Sequence, residues 1–137
     1  KDLHNNEIIA YDISLKNDTK LVQATINKLL KLPLEKKCIL HTDQGFQYTR
    51  KIYSNQLKKN NIKQSMSRKG NCWDNAPIES FFSHFKTELI YNMNRNITLE
   101  KLKIEISKYI KFYNEERIQI KLKGLSPVEY RTQALIN

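Results

Sequence analysis

Long apolar runs are missing from this sequence. No stretch is long enough to span a bilayer, and none has the succession of a secretory signal peptide. A cytoplasmic protein is the expectation. Cysteine is scarce too. Cys38 and Cys72 stand in no CxxC pair, and with His4, His41 and His84 they form no HxxxH cluster, which argues against zinc. Two cysteines do not make a secreted disulfide scaffold, and Cys38 reads as a small buried hydrophobe. Internal repeats and low-complexity linkers are lacking, and 137 residues suit one domain. Acidic residues are few: 14 against 24 Lys and Arg, a formal net charge of +10. Such an excess points to a polyanionic partner, nucleic acid above all. A soluble basic protein without such a partner is the alternative, since abundant Lys, Asn and Ile also follow from A·T-rich coding DNA.

The shortage of acid is most local between Gln44 and Trp73, where there is none, while Arg50, Lys51, Lys58, Lys59, Lys63, Arg68 and Lys69 are all basic. These seven read as a phosphate-backbone track beside a carboxylate. A solvated helix face is the rival reading, strongest for Lys58 and Lys59. Arg68 and Lys69 lie in a loop around Gly70 and favour DNA contact. The carboxylate is Asp43. It follows Cys38-Ile39-Leu40, an apolar run that predicts a buried strand of a parallel or mixed sheet over Lys37 to Thr42. Functional groups of α/β sheets gather past the carboxyl ends of strands.

Around this strand the patterns alternate in type. Lys1 to Leu3 and Glu7 to Leu15 predict a hairpin, with Ile9, Tyr11, Ile13 and Leu15 on one face. Asp2 and Asp12 read as surface or turn-capping acids. Asn17-Asp18-Thr19 caps a helix to Leu30, stopped by Pro33. Thr49 to Asn60 predicts a helix with Ile52, Tyr53 and Leu57 inward, and Ile62 to Met66 a short edge strand. Asp74-Asn75 caps a further helix with Pro77 in its first turn. Its stripe of Ile78, Phe81, Phe82, Phe85 and Leu89 is core, and Glu79, at the stripe's margin, shares nearly one face with Ser83 and Lys86. Taken alone, Glu79 would be read as a charge favouring the helix dipole. Thr98 caps a helix to Tyr113. Ser126-Pro127-Val128-Glu129 is a capping box opening a last helix to Ala134.

Four segments carry a resemblance: HTDQGFQYT (His41 to Thr49), SMSRKGNCWDNAPIESFFSHFKTEL (Ser65 to Leu89), YIKFYNEER (Tyr109 to Arg117) and KGLSPVEYR (Lys123 to Arg131). In this order, and with thirty-five residues between Asp43 and Glu79, the chain resembles the integrase-core domain of bacterial insertion-sequence transposases, relatives of retroviral integrases. The resemblance implies an α/β fold: an RNase H-like mixed sheet flanked by helices. The family's first strand, with its first catalytic Asp, is not matched, so the expectation is an N-terminally truncated catalytic domain over residues 1–137 with a helical extension from about residue 98.

The resemblance further implies a DDE-type enzyme. Asp43 and Glu79 would be two of three acids holding two Mg²⁺ (or Mn²⁺) ions, the third Asp lying outside this chain. The reaction implied is phosphodiester hydrolysis at element ends, then strand transfer of the 3′-hydroxyl into target DNA. Double-stranded DNA is the partner, and the active complex is expected to be a homo-multimer in the bacterial cytoplasm, with no membrane involved. Gln44, Lys63, Arg68, Lys69, Asn75 and Lys86 are the candidate DNA-binding residues. His41 would order Asp43 or the DNA, and Trp73 reads either as a base-stacking ring or as a buried loop anchor. The alternatives are an RNase H-like nuclease without strand transfer and a non-catalytic DNA-binding remnant.

Overall fold

A computed structural model describes residues 1–68, 72–93 and 96–134, without the side chains of Cys72 and Ala134. Its contacts divide into two units, residues 10–76 and residues 1–9 with 77–137. Each is described by itself.

Residues 10–76 contain α1 (Thr19–Leu29), β1 (Ile39–Thr42), α2 (Phe46–Thr49), α3 (Lys51–Lys59) and β2 (Lys63–Met66). Asp18 starts α1 by accepting the N–H groups of Lys20 and Leu21 at 3.0 and 3.1 Å, satisfying donors that a helix leaves open. The apolar face of α1 buries Ile26 and Leu29. The two strands pair in parallel, Ile39 opposite Lys63 through Thr42 opposite Met66. The mixed α/β architecture agrees with the strand and helix patterns, and the parallel pair joins the strands expected over Lys37 to Thr42 and Ile62 to Met66. Among the described residues the sheet has two strands, and β1 is less covered than expected: Ile39 is 59% exposed.

The helix expected over Thr49 to Asn60 is interrupted at Arg50, whose extended backbone (ψ 140°) separates α2 from α3. Tyr53 and Leu57 are buried as their spacing predicts, whereas Ile52 is 62% exposed. α3 ends in a Schellman turn. Asn61 takes the left-handed conformation (φ 57°), Ile62 N–H donates to Leu57 O at 2.9 Å and Asn61 N–H to Lys58 O at 3.0 Å. The apolar pair such turns favour is Leu57 and Ile62, both buried.

The second unit is built on α4 (Ala76–Glu88), α5 (Leu99–Glu115) and α6 (Pro127–Ala134). Thr98 Oγ1 accepts the Lys101 N–H at 3.3 Å. At α6, Ser126 N–H donates to the Glu129 carboxylate at 2.8 Å and Glu129 N–H donates to Ser126 Oγ at 3.4 Å, the reciprocal box read from the sequence. The core is aromatic. Phe81 meets Tyr113 edge to face at 5.0 Å and Phe85 meets Tyr109 at 5.5 Å, geometries that suit the ring quadrupole. Phe82, expected in this stripe, is 49% exposed.

The expected hairpin in residues 1–15 does not form as a strand pair. Leu3–Asn5 turn, and Asp2 Oδ1 accepts the His4 N–H at 2.7 Å, the turn-capping role expected of it. The following segment spends its backbone bonds elsewhere. Ile8 N–H donates to Asn114 Oδ1 at 2.9 Å, and Asn114 Nδ2 donates to Ile8 O at 3.0 Å. One side-chain amide on α5 thus takes the place of a neighbouring strand. Ile8 is the buried hydrophobic residue of this segment, and Leu15 is 84% exposed.

Candidate active site

In residues 10–76 the site is built where β1 and β2 end. His41, the third residue of β1, bridges the strands: Nδ1 lies 2.9 Å from Ser65 Oγ and Nε2 3.1 Å from Ser67 Oγ. Ser67 Oγ also donates to Thr42 O at 3.3 Å. With that proton used, Ser67 accepts from Nε2–H, which leaves Nδ1 to accept the Ser65 hydroxyl. Ser67 N–H donates to Thr42 O at 2.9 Å, and Gln44 Nε2 to Ser67 O at 3.0 Å. These bonds fix the backbone on both sides of Asp43.

Asp43 itself is exposed. Its Oδ1 accepts the Gly45 N–H at 2.7 Å, an Asx turn that aims the carboxylate. A Cβ at position 45 would stand 2.8 Å from that oxygen, so any larger residue here must displace the Asp43 carboxylate. Burial first, then the Asp43 charge, raises the pKa of Tyr48.

Arg68 carries a counter-charge that the sequence reading placed elsewhere. Asp74, expected to cap α4, accepts from Arg68 N–H (3.0 Å), Nε (3.2 Å) and Nη2 (3.1 Å). Those side-chain and backbone bonds hold the Asp74 carboxyl below its usual range and raise the Arg68 guanidinium. Trp73 is 82% exposed, which overturns the buried-anchor reading. Asn75 closes the short 3₁₀ turn Cys72–Asn75 and is half-buried. Lys69 lies outside the described residues. Lys63 is not beside Asp43. Parallel register sets it level with Ile39 at the amino end of the sheet, four residues back along β1.

In the other unit, Glu79 is exposed in the first turn of α4. The shared face expected for Glu79, Ser83 and Lys86 exists: together with Phe82, Thr87 and Tyr91 they line a groove of about 490 Å³. What the sequence reading missed is the tie between α4 and α5. Arg117 Nε donates to both Glu88 oxygens (3.0 and 2.9 Å), its Nη2 to Oε1 at 2.6 Å, and Tyr109 Oη to Oε2 at 2.9 Å. The guanidinium also lies 5.7 Å from the Tyr113 ring centre. The signal was present as KTEL and YNEER, but nothing local pairs Glu88 with Arg117.

Among the described residues no group of three or more His, Cys, Asp and Glu could hold a metal ion, and no helix is long and apolar enough to cross a membrane. The class defined so far is a mixed α/β protein with an exposed, aimed carboxylate at the end of a parallel strand. Comparison with known proteins narrows it. Two integrase core domain models match, over residues 1–72 and 79–135. The chain belongs to the integrase core family. It is 51% identical over 98% of its length to a Haemophilus influenzae protein described as transposase-like, covering 62% of that protein. It is 45% identical over 96% of its length to an Escherichia coli protein named as the InsK transposase of insertion sequence element IS150, covering 47% of it. To a Lactococcus lactis transposase for insertion sequence element IS904 the identity is 36% over 94% of this chain and 51% of the relative. The chain thus spans between about half and three-fifths of the length of these relatives.

Proposed function

We propose that this chain is catalytic core of a DNA transposase, with Asp43 and Glu79 as two of the acids of an RNase H-like, DDE-type enzyme. On this reading residues 1–137 serve one catalytic function, the substrate is double-stranded DNA at element ends and in the target, and the active form is a multimer. The observation that carries it is Asp43: an exposed carboxylate past the end of a parallel strand, aimed by the Gly45 N–H, within the residues that match an integrase core domain model. The names of the relatives support the same reading.

Carboxylate oxygens are the hard donors that Mg²⁺ and Mn²⁺ take, with water and substrate phosphate oxygens completing the shell. Asp43 and Glu79 each fit in donor type and exposure. When bound, divalent cations stabilise charge on the attacking and leaving oxygens of phosphodiester transfer. The chain's own contribution is position. Gly45 holds one Asp43 oxygen, His41 and Gln44 hold the backbone around it, and Lys86 offers a cation in the groove of Glu79.

The test is Asp43→Asn and Glu79→Gln in the full protein, assayed on plasmid DNA with Mg²⁺ or Mn²⁺. Cleavage should disappear while DNA affinity in EDTA stays unchanged. Metal-dependent cleavage surviving in either variant refutes the assignment. Joining of a pre-cleaved end separates a transposase from a nuclease of the same fold.

A further inference from the structure

Charge is unevenly shared along the chain. Residues 10–76 hold 13 basic and 5 acidic residues, a net +8 of the chain's +10. Within this unit one group of lysines has no connection with Asp43. Parallel pairing puts the amino ends of β1 and β2 side by side: Lys63 N–H donates to Cys38 O at 3.0 Å, and Lys63 stands opposite Ile39. Lys36 and Lys37 immediately precede that edge. The Schellman turn brings the end of α3, with Lys58 and Lys59, directly into Lys63. All five lysines are exposed. The segment before β1 and the turn after α3 face each other across a groove of about 420 Å³, whose lining includes Lys36, Asn60 and Asn61 and a single acid, Glu35.

We propose that this amino-terminal edge of the sheet is a second DNA-backbone surface, separate from the strand end that bears Asp43. Four residues of strand at about 3.3 Å each put the two ends about 13 Å apart, at opposite ends of the same small sheet. Exposed lysines from three consecutive segments, with one acid among them, match a run of phosphates rather than a single anion. Two of them, Lys58 and Lys59, also sit favourably in the last turn of a helix. The surface does not depend on the catalytic reading, because it needs neither metal nor Asp43.

The experiment compares two fourfold variants of equal charge change in the full protein: Lys36→Gln/Lys37→Gln/Lys59→Gln/Lys63→Gln, and a control on α5, Lys101→Gln/Lys103→Gln/Lys108→Gln/Lys111→Gln. Binding to a 30-bp duplex of arbitrary sequence is titrated in EDTA across a salt series, with circular dichroism confirming the fold. Each phosphate contact contributes about 0.9 to the slope of log K against log salt. The edge variant should lose about 3.6 in slope if all four lysines meet phosphates, and bind at least about tenfold more weakly than the control. The single Lys63→Gln, at an exposed position that tolerates exchange, should lose about 0.9. Equal weakening in both fourfold variants, or an unchanged slope with Lys63→Gln, overturns the proposal. Loss of cleavage by Asp43→Asn leaves this result untouched, so the two readings fail separately.

Discussion

Removing the charge of Glu88 should destabilise the α4–α5 unit by more than an ordinary surface pair does. Exposed ion pairs contribute about 0–1 kcal/mol. Glu88 and Arg117 differ in two respects. Their side chains are only 33% and 20% exposed, and the guanidinium grips both carboxylate oxygens with three bonds while Tyr109 donates a fourth. Hydrogen bonds to charged groups contribute about 1.5–3 kcal/mol when well made. Discounted for the remaining solvent access, Glu88→Gln should cost about 1–2 kcal/mol, a fall in Tm of about 3–8 °C for a chain of this size. Because Arg117 also packs on Tyr113, Arg117→Gln alone overstates the pair. The cycle of Glu88→Gln, Arg117→Gln and the double variant isolates it, and a coupling of about 1 kcal/mol or more is expected.

The pH dependence gives an independent check. Arg117 and Tyr109 hold the Glu88 carboxyl below its ordinary value of 4.5. A depressed folded pKa means the unfolded chain takes up the proton first. The stabilisation is therefore whole above about pH 4.5 and is lost as pH falls through the depressed folded value. With His84, whose Nδ1 lies 3.7 Å from Glu88 Oε1, replaced by Gln in both proteins, the gap in Tm between the backgrounds with and without Glu88→Gln should be constant from pH 8 to 5 and close below pH 4. A gap that persists undiminished at pH 3, or a coupling indistinguishable from zero, refutes the account of this pair as charge-assisted.

Other substitutions test the remaining geometry. Gly45→Ala should displace the Asp43 carboxylate, since the new methyl stands 2.8 Å from Oδ1; cleavage should fall steeply with Tm little changed, and unchanged cleavage would show that the Asx turn does not aim this side chain. Asn61 occupies a left-handed position, so Asn61→Gly should be neutral or stabilising and Asn61→Ala should cost about 1 kcal/mol, read by urea denaturation. Leu57→Ala empties a fully buried site and should cost about 2–5 kcal/mol; a cost below 1 kcal/mol would mean the core closes over the gap.

The parts legible in the sequence were those decided locally. Asp18, Thr98 and Ser126 cap their helices because the groups they satisfy lie two or three residues away. Tyr53, Leu57 and Phe81 are buried because helical spacing selects a face. Spacing does not say how much of that face a neighbour covers, and so Ile52 and Phe82 emerge at the surface. The amino-terminal segment has strand composition, but its partner is Asn114, 106 residues away, and no pattern within residues 1–15 selects a side-chain amide over a strand.

The same distinction governs the candidate site. A motif points to Asp43, and the turn that aims its carboxylate lies within three residues, although the sequence reading did not name it. Which lysines belong to that carboxylate is a question of register. Lys63 is 20 residues from Asp43 in sequence and Ser67 is 24, an order that favours Lys63 as the closer neighbour. Parallel pairing reverses it: strand ends of like kind meet, so Ser67 N–H bonds Thr42 beside Asp43 while Lys63 joins Cys38 at the far edge. Lys63 and Arg68, five residues apart in one basic stretch, thereby stand at opposite ends of one small sheet.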